Sequence, residues 1–325
     1  MSTMLFAEAL TSALREEMER NPKLILLGED IGRSGGVFRI TVGLQARFGA
    51  ERVVDTPVAE AGIVGSAVGL CLSGLQPVCE LQFDAFSYPA LNQILTHVSR
   101  YRWRTQGKAP MPMVIRIPCG GGVRAPELHS DSPEAYFCHT PGLTVVSPST
   151  PADAKGLLTS ALRSPDPVVF FEPKKLYRHL RGEVPDGEHL VPFGKVRTAR
   201  EGSDVTLIAW GAMMEIALAA AEALATEGVS SHVCDVRTLS PLDEEGLLQA
   251  ARVTGRVVII QESPRNCSVA SELAALLAEH AMYDLKAPIK RVSGFDVPHP
   301  YYSIEHHQRP DCARVVDAVH RILEA

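Results

Sequence analysis

The sequence predicts an α/β protein made of two units, each a parallel sheet covered by helices. Short apolar runs of strand length alternate with amphipathic helical stretches along nearly the whole chain. A polar stretch near residues 177–187 interrupts that alternation once. With 325 residues the chain is long enough for two domains.

Residues 5–20 place Leu5, Ala9, Leu10, Ala13, Leu14 and Met18 at helical spacing. A short apolar strand at 24–27 runs into Gly28-Glu29-Asp30. Residues 55–70 then read as an apolar helix entered by one carboxylate, Glu60, and studded with Gly62, Gly65 and Gly69. A strand is expected at 77–82, a helix near 89–106 and a strand at 114–117. A loop holding Gly120, Gly121, Gly122 and His129 follows. Strands at 143–147 and 168–172 flank a helix at 151–163. Residues 177–187, with Arg, His, Gly, Pro and Asp, break the rhythm. The first domain is therefore placed at 1–187, a linker at 188–200 and a second domain at 201–325. The second domain alternates strands at 205–210, 231–236, 257–261 and 289–292 with helices at 213–227, 243–253 and 268–280. There is no internal repeat or low-complexity segment.

Hydrophobic residues make up 46% and charged residues 22% of the chain, an ordinary globular composition. The net charge of −6, with scattered Lys and Arg, gives no reason to expect a nucleic-acid partner. No apolar run approaches membrane-spanning length. The first residues pass straight into an amphipathic pattern and resemble neither a secretory signal nor a transit peptide. The seven cysteines form no C-x-x-C pair, and the odd count implies reduced thiols in a cytoplasm. Zinc is not expected: His306 and His307 are adjacent, and no H-E-x-x-H occurs.

Glu60 has two readings. With Thr56 as N-cap and Pro57 at the first helical position, a capping box needs Glu at 59, one residue away from where it stands. An acid favoured by the helix dipole and a functional carboxylate then stand level. The glycines that follow need a reason, since each costs a helix about 1 kcal/mol relative to Ala. Close packing at a domain or subunit contact supplies one. Ligands of parallel sheets sit beyond the carboxyl ends of strands, which makes the turn at Gly28-Glu29-Asp30-Ile31-Gly32 a candidate. It lacks G-x-G-x-x-G spacing, and a structural turn is the better reading. Neither a P-loop nor a G-x-S-x-G elbow is present. Phe83 and Phe86 read as core or, just past a strand end, as a stacking platform. His129 is a loop histidine of the kind more often found at a surface than in catalysis.

Taken together, Gly28-Glu29-Asp30-Ile31-Gly32, Gly35-Gly36-Val37-Phe38-Arg39, Asp55-Thr56-Pro57 with Ala59-Glu60-Ala61-Gly62, and Gln82-Phe83-Asp84 are distinctive. So are His129-Ser130 with Ser132-Pro133-Glu134-Ala135, Phe171-Glu172-Pro173-Lys174 and Gly294-Phe295-Asp296-Val297-Pro298. End to end, the chain resembles the β subunit of the thiamine-diphosphate-dependent decarboxylase of 2-oxo-acid dehydrogenase complexes. The resemblance implies a transketolase-like fold, with a pyrimidine-binding domain followed by a smaller C-terminal domain. It implies that Glu60 hydrogen-bonds the cofactor's aminopyrimidine and shares a proton with it. Phe86 would stack on that ring, Val58 and Gln82 would wall it, and His129 would handle protons during acyl transfer to lipoamide. It also carries a potassium loop onto Met113, Ala161, Leu162, Ser164 and Asp166, mostly through backbone carbonyls.

This chain has His129-Ser130-Asp131 where many members have His-Ser-Gln, an extra acid close to the site. The family's Gly-Asp-Gly motif for magnesium and diphosphate is missing, since Asp186-Gly187 lacks its context. The resemblance therefore implies an α subunit that holds magnesium and completes an α₂β₂ heterotetramer, with a lipoyl acyltransferase core as a further partner. Its motifs look more like branched-chain members than pyruvate or acetoin ones. A catalytically silent assembly subunit and a nucleotide-dependent dehydrogenase are alternatives of other classes. The intact Glu60, Phe86 and His129 weigh against the first, and the missing phosphate fingerprint against the second.

Overall fold

The computed structural model describes residues 1–325, in which fourteen strands form three sheets. In chain order they are β1 (Ser2–Leu5), β2 (Leu24–Gly28), β3 (Val53–Asp55), β4 (Gln76–Glu80), β5 (Val114–Cys119), β6 (Thr144–Val146) and β7 (Val168–Pro173). There follow β8 (Arg181–Val184), β9 (Arg197–Arg200), β10 (Val205–Ala209), β11 (Ser231–Asp235), β12 (Thr238–Ser240), β13 (Val257–Pro264) and β14 (Lys290–Gly294). The first large sheet has the order β12-β6-β7-β5-β4-β2-β3 and the second β14-β13-β10-β11-β9. Both are parallel except at one antiparallel edge, β12 on β6 and β9 on β11. β1 and β8 form a separate antiparallel pair.

Buried on both faces, the central strands read as continuous apolar runs. Alternate residues feed opposite faces: Val168 and Phe170 join one hydrophobic cluster, Val169 and Phe171 the other. In the second sheet, Val258 and Ile260 continue the first cluster, Val257 and Ile259 the second. Each core layer thus runs unbroken from one half of the chain to the other.

Three differences from the sequence expectation have local causes. The helix expected over 89–106 is broken into Leu91–Gln93, a π-helical turn Ile94–Val98 and Tyr101–Arg104. The carbonyl of Leu95, which a straight helix would give to the amide of Ser99, instead accepts the Ser99 hydroxyl at 3.1 Å and Arg100 Nε at 2.9 Å. The Ser99 amide reaches back to Ile94 O at 3.0 Å, leaving a π-bulge. The stretch expected as a linker over 188–200 ends in β9, an edge strand whose Arg197 binds Asp235 at 2.9 Å. A polar edge strand has no apolar run to announce it, and the same holds for β8 within the polar stretch 177–187. The chain closes with the helix Cys312–Leu323, which the alternation did not predict, although Asp311 caps it and Val315, Val319 and Ile322 form its buried stripe. All seven cysteines are free. No helix is long and apolar enough to cross a membrane.

Candidate functional site

Strands β3, β2, β4, β5 and β7 all point their carboxyl ends to one edge of the first sheet, and the candidate residues lie just beyond them. After β2 comes Glu29, 5% exposed. Asp55, ending β3, fixes the following turn by accepting the amides of Gly32 at 2.6 Å and Arg33 at 3.4 Å. Gly32 is required there, because a Cβ would overlap the Asp55 carboxylate.

Glu60 is 8% exposed and is the first residue of the helix Glu60–Leu72. Ala59 is the N-cap and no side chain caps it, so the cap considered at Thr56 is not formed and the Thr56 hydroxyl is buried without a partner. The helix opens with unclaimed amides in its first turn. Burial, the nearby Glu60 charge and Asp30 together push the Glu29 carboxyl above its usual range.

Past β4, Gln82 Nε2 lies 3.5 Å from Asp30 Oδ2. Phe83, Phe86 and His129 form one aromatic cluster, with ring centroids 5.5 Å apart for the two phenylalanines, 4.3 Å for Phe83 and His129, and 4.9 Å for Phe86 and His129. His129 Nδ1 donates to the Glu127 carbonyl at 2.9 Å, which leaves Nε2 as the ring nitrogen open to another partner. Asp84 anchors the cluster. Its carboxylate forms a fully buried ion pair with Lys174 and accepts the Asp131 amide at 2.9 Å. Asp131, the extra acid, takes the Tyr88 hydroxyl at 2.8 Å. Val58 stands apart, 77% exposed and free of the cluster. The sequence alone did not single out Glu29, Asp84 or Lys174 for a role. The placement of each just past a parallel strand was the available signal.

A second buried carboxyl, Glu134, is 6% exposed, takes only a long 3.5 Å hydrogen bond from Trp210 Nε1, and leaves Oε2 unpartnered. Burial, reinforced by the charges of Glu262 and Asp84, pushes it up to about 7. A cleft of about 1480 Å³ between the two halves is lined by Tyr88, Asp131, Tyr136, Glu262 and His299, among others, and by none of Glu60, Phe86 and His129.

Met113, Ala161, Leu162, Ser164 and Asp166 gather at the opposite, amino-terminal edge of β5 and β7. There the Met113 carbonyl accepts Val168 N at 2.9 Å, the Ala161 carbonyl accepts Ser164 N at 3.1 Å, and Gln76 donates to the Leu162 carbonyl. The Asp166 carboxylate is half exposed and pairs with Arg102 at 3.1 Å. Asp186 lies elsewhere again, two residues past the end of β8, where it binds the chain's amino terminus at 2.6 Å.

Residues 2–179 match the family described as "Transketolase, pyrimidine binding domain", and residues 194–315 match "Transketolase, C-terminal domain". A "2-oxoisovalerate dehydrogenase subunit beta" of Bacillus subtilis is 48% identical over 298 residues, covering 92% of this chain and 91% of that one. A "Pyruvate dehydrogenase E1 component subunit beta" of Leifsonia xyli is 47% identical over 323 residues, covering 99% and 96%. Among solved structures, a chain described as "Split gene transketolase, inactive beta4 tetramer" superposes with a TM-score of 0.81 at 27% identity, covering 99% of this chain and 98% of that one.

Proposed function

From a chain that belongs to the transketolase-like family of 2-oxo-acid dehydrogenase E1 β subunits, we propose a β subunit that decarboxylates a branched-chain 2-oxo acid and passes the acyl group to lipoamide. The observation that carries the reading is the Glu60 carboxyl, buried beside Glu29 at an uncapped helix start. With the aromatic cluster across the strand ends, this donor set fits a flat, basic heteroaromatic ring, such as the aminopyrimidine of thiamine diphosphate. Bound there, thiamine diphosphate supplies the nucleophilic carbon and the electron sink that 2-oxo-acid decarboxylation needs.

Glu60 holds the shared proton at a pyrimidine nitrogen, and the unclaimed helix amides keep that corner polar. Phe86 offers a ring face for stacking, while Gln82 and Val58 wall the ring. Val58 is open to solvent in the isolated chain, as suits a residue completed by a second subunit. His129 takes or gives a proton at Nε2 during hand-over to the lipoyl group.

The proposed domain division is 1–187 and 201–325, joined through 188–200. The α subunit holds magnesium and the diphosphate in an α₂β₂ heterotetramer, and the second domain docks the lipoyl acyltransferase core. Potassium, where present, is expected at the carbonyls of the Met113, Ala161 and Leu162 group. Free cysteines throughout suit a cytoplasmic protein.

The branched-chain choice follows Gln82-Phe83-Asp84 with Phe86-Ser87-Tyr88-Pro89, His129-Ser130-Asp131-Ser132, Phe171-Glu172-Pro173-Lys174 and the 48% relative, with a pyruvate relative one percentage point behind. The complex reconstituted with its α subunit is to be assayed on branched 2-oxo acids, pyruvate and acetoin, as wild type and as Glu60→Gln. The highest kcat/KM is expected on a branched acid. The variant should assemble yet lose roughly 10²–10⁴ in rate. Preference for pyruvate or acetoin would overturn the substrate class, and near-normal turnover by assembled Glu60→Gln would overturn the site.

A further inference from the structure

The loop that carries His129 is held from both sides. Its neck is closed by the Gly120 amide donating to the Asp131 carbonyl at 2.9 Å, so residues 120–131 form one compact Ω-shaped excursion. The descending limb is fixed within the first domain through the packing of His129 on Phe83 and Phe86 and the Asp131–Asp84 bond. The ascending limb is fixed by the second domain. Glu262, on β13, accepts the Gly121 amide at 2.6 Å, and Glu305 accepts the amides of Gly122 and, at 3.2 Å, Arg124. Arg309 Nε holds Glu262 at 2.7 Å, and His299 Nε2 stands 3.5 Å from Glu305.

The glycine triplet answers to this clamp. A Cβ on Gly121 would run into His299 and Glu305, and one on Gly122, at φ +86°, into the Arg309 guanidinium. Against the opposing effect of burial, Arg309 and the Gly121 amide keep the Glu262 carboxyl below its usual range, so the acceptor stays charged. Charged acceptors on backbone amides are among the stronger hydrogen bonds a loop can receive.

We propose that Glu262 and Glu305 are positioning residues by which the second domain sets the 120–131 loop, and with it the imidazole of His129, for acyl transfer. The proposal rests on His129 as the proton-handling group of that step. Neither carboxylate meets substrate in this role. They act through the backbone of the loop.

The test uses the complex assembled with its α subunit, comparing wild type, Glu305→Ala, Glu305→Gln and His129→Ala. Hydrogen exchange of the peptide spanning 120–131 reads the loop directly. Acyl transfer to lipoyl domain and decarboxylation with an artificial acceptor read the chemistry. In Glu305→Ala, amide exchange in the loop should accelerate roughly tenfold or more, the cost of a lost charged acceptor. The kcat for acyl transfer should fall by a similar factor, with KM for the 2-oxo acid and artificial-acceptor turnover changed far less. Glu305→Gln, which keeps one acceptor oxygen, should recover part of both effects. Wild-type exchange in the loop of either variant overturns the clamp, as does faster exchange with unchanged acyl transfer. If the alanine variant fails to assemble, the glutamine variant carries the same two outcomes. Unchanged acyl transfer in His129→Ala removes instead the functional reading beneath the proposal, while the exchange measurement still decides whether Glu305 holds the loop.

Discussion

Glu134 carries a conflict that solution measurements can read. Its carboxyl, buried and with one oxygen unpartnered, is raised from an ordinary 4.5 to about 7. The folded chain therefore binds this proton more tightly than the unfolded chain does. The resulting stabilisation is complete below about pH 4.5 and is lost as pH rises through about 7. A shift of that size corresponds to on the order of 3 kcal/mol. Glu134→Gln cannot ionise, so wild type should lose stability relative to it between pH 5 and pH 8. Unfolding midpoints of both proteins at the two pH values check this, and parallel pH dependences would sink the argument. The residues that face the sheet edge were legible from sequence because strand ends and motif order announce them. Glu60, Gln82, Phe86 and His129 all follow the carboxyl ends of β3, β4 and β5. Partner choice was not legible. Nothing in the one-dimensional pattern says that Asp84 pairs with Lys174, ninety residues on, or that Glu305 reaches Gly122.

The helix Glu60–Leu72 shows what an element can hold in reserve. Ile63, Val64, Ala67 and Cys71 bury one face, while Ala61, Gly62, Ser66 and Gly69 lie open on the other. A Cβ at Gly69 would meet nothing within 4 Å, and one at Gly62 only Ala59 Cβ at 3.6 Å. In the isolated chain these glycines have no steric purpose, and a larger residue should raise helix stability by up to about 1 kcal/mol. If the flat face is where the α subunit packs, Gly62→Leu should unfold at a temperature no lower than wild type yet bind the α subunit at least roughly tenfold more weakly, as a side chain wedged into a tight interface does. Thermal melts of the lone chain and titration with the α subunit separate the two effects, and undiminished association would refute the contact. Elements with buried apolar faces were the legible ones. Those shaped by polar competition were hidden, as at the Leu95 carbonyl, and so were those lying on polar edges, as in β8 and β9.

On the scale of the molecule, the proposed function divides the grip on the cofactor between two subunits. The first sheet presents groups suited to an aminopyrimidine, while Asp186, its one Asp-Gly aspartate, is engaged by the amino terminus. Diphosphate contacts, being charge-assisted, should supply much of the binding energy. The chain alone is therefore expected to show no measurable heat with thiamine diphosphate and magnesium and no decarboxylation, both returning on addition of the α subunit. Tight binding by the lone chain in calorimetry would contradict it. Within the chain the halves are laced together. β12, which follows β11 of the second sheet, closes the edge of the first by pairing Thr238 with Val146 and Ser240 with Val145. A gene cut at the connecting segment would leave β6 as a bare edge with unpaired backbone groups, a template for aggregation. Recombination between relatives at that joint would have to bring a matching edge strand with every exchanged half. The pattern of descent should show it: the two halves of such chains ought to share one genealogy rather than two.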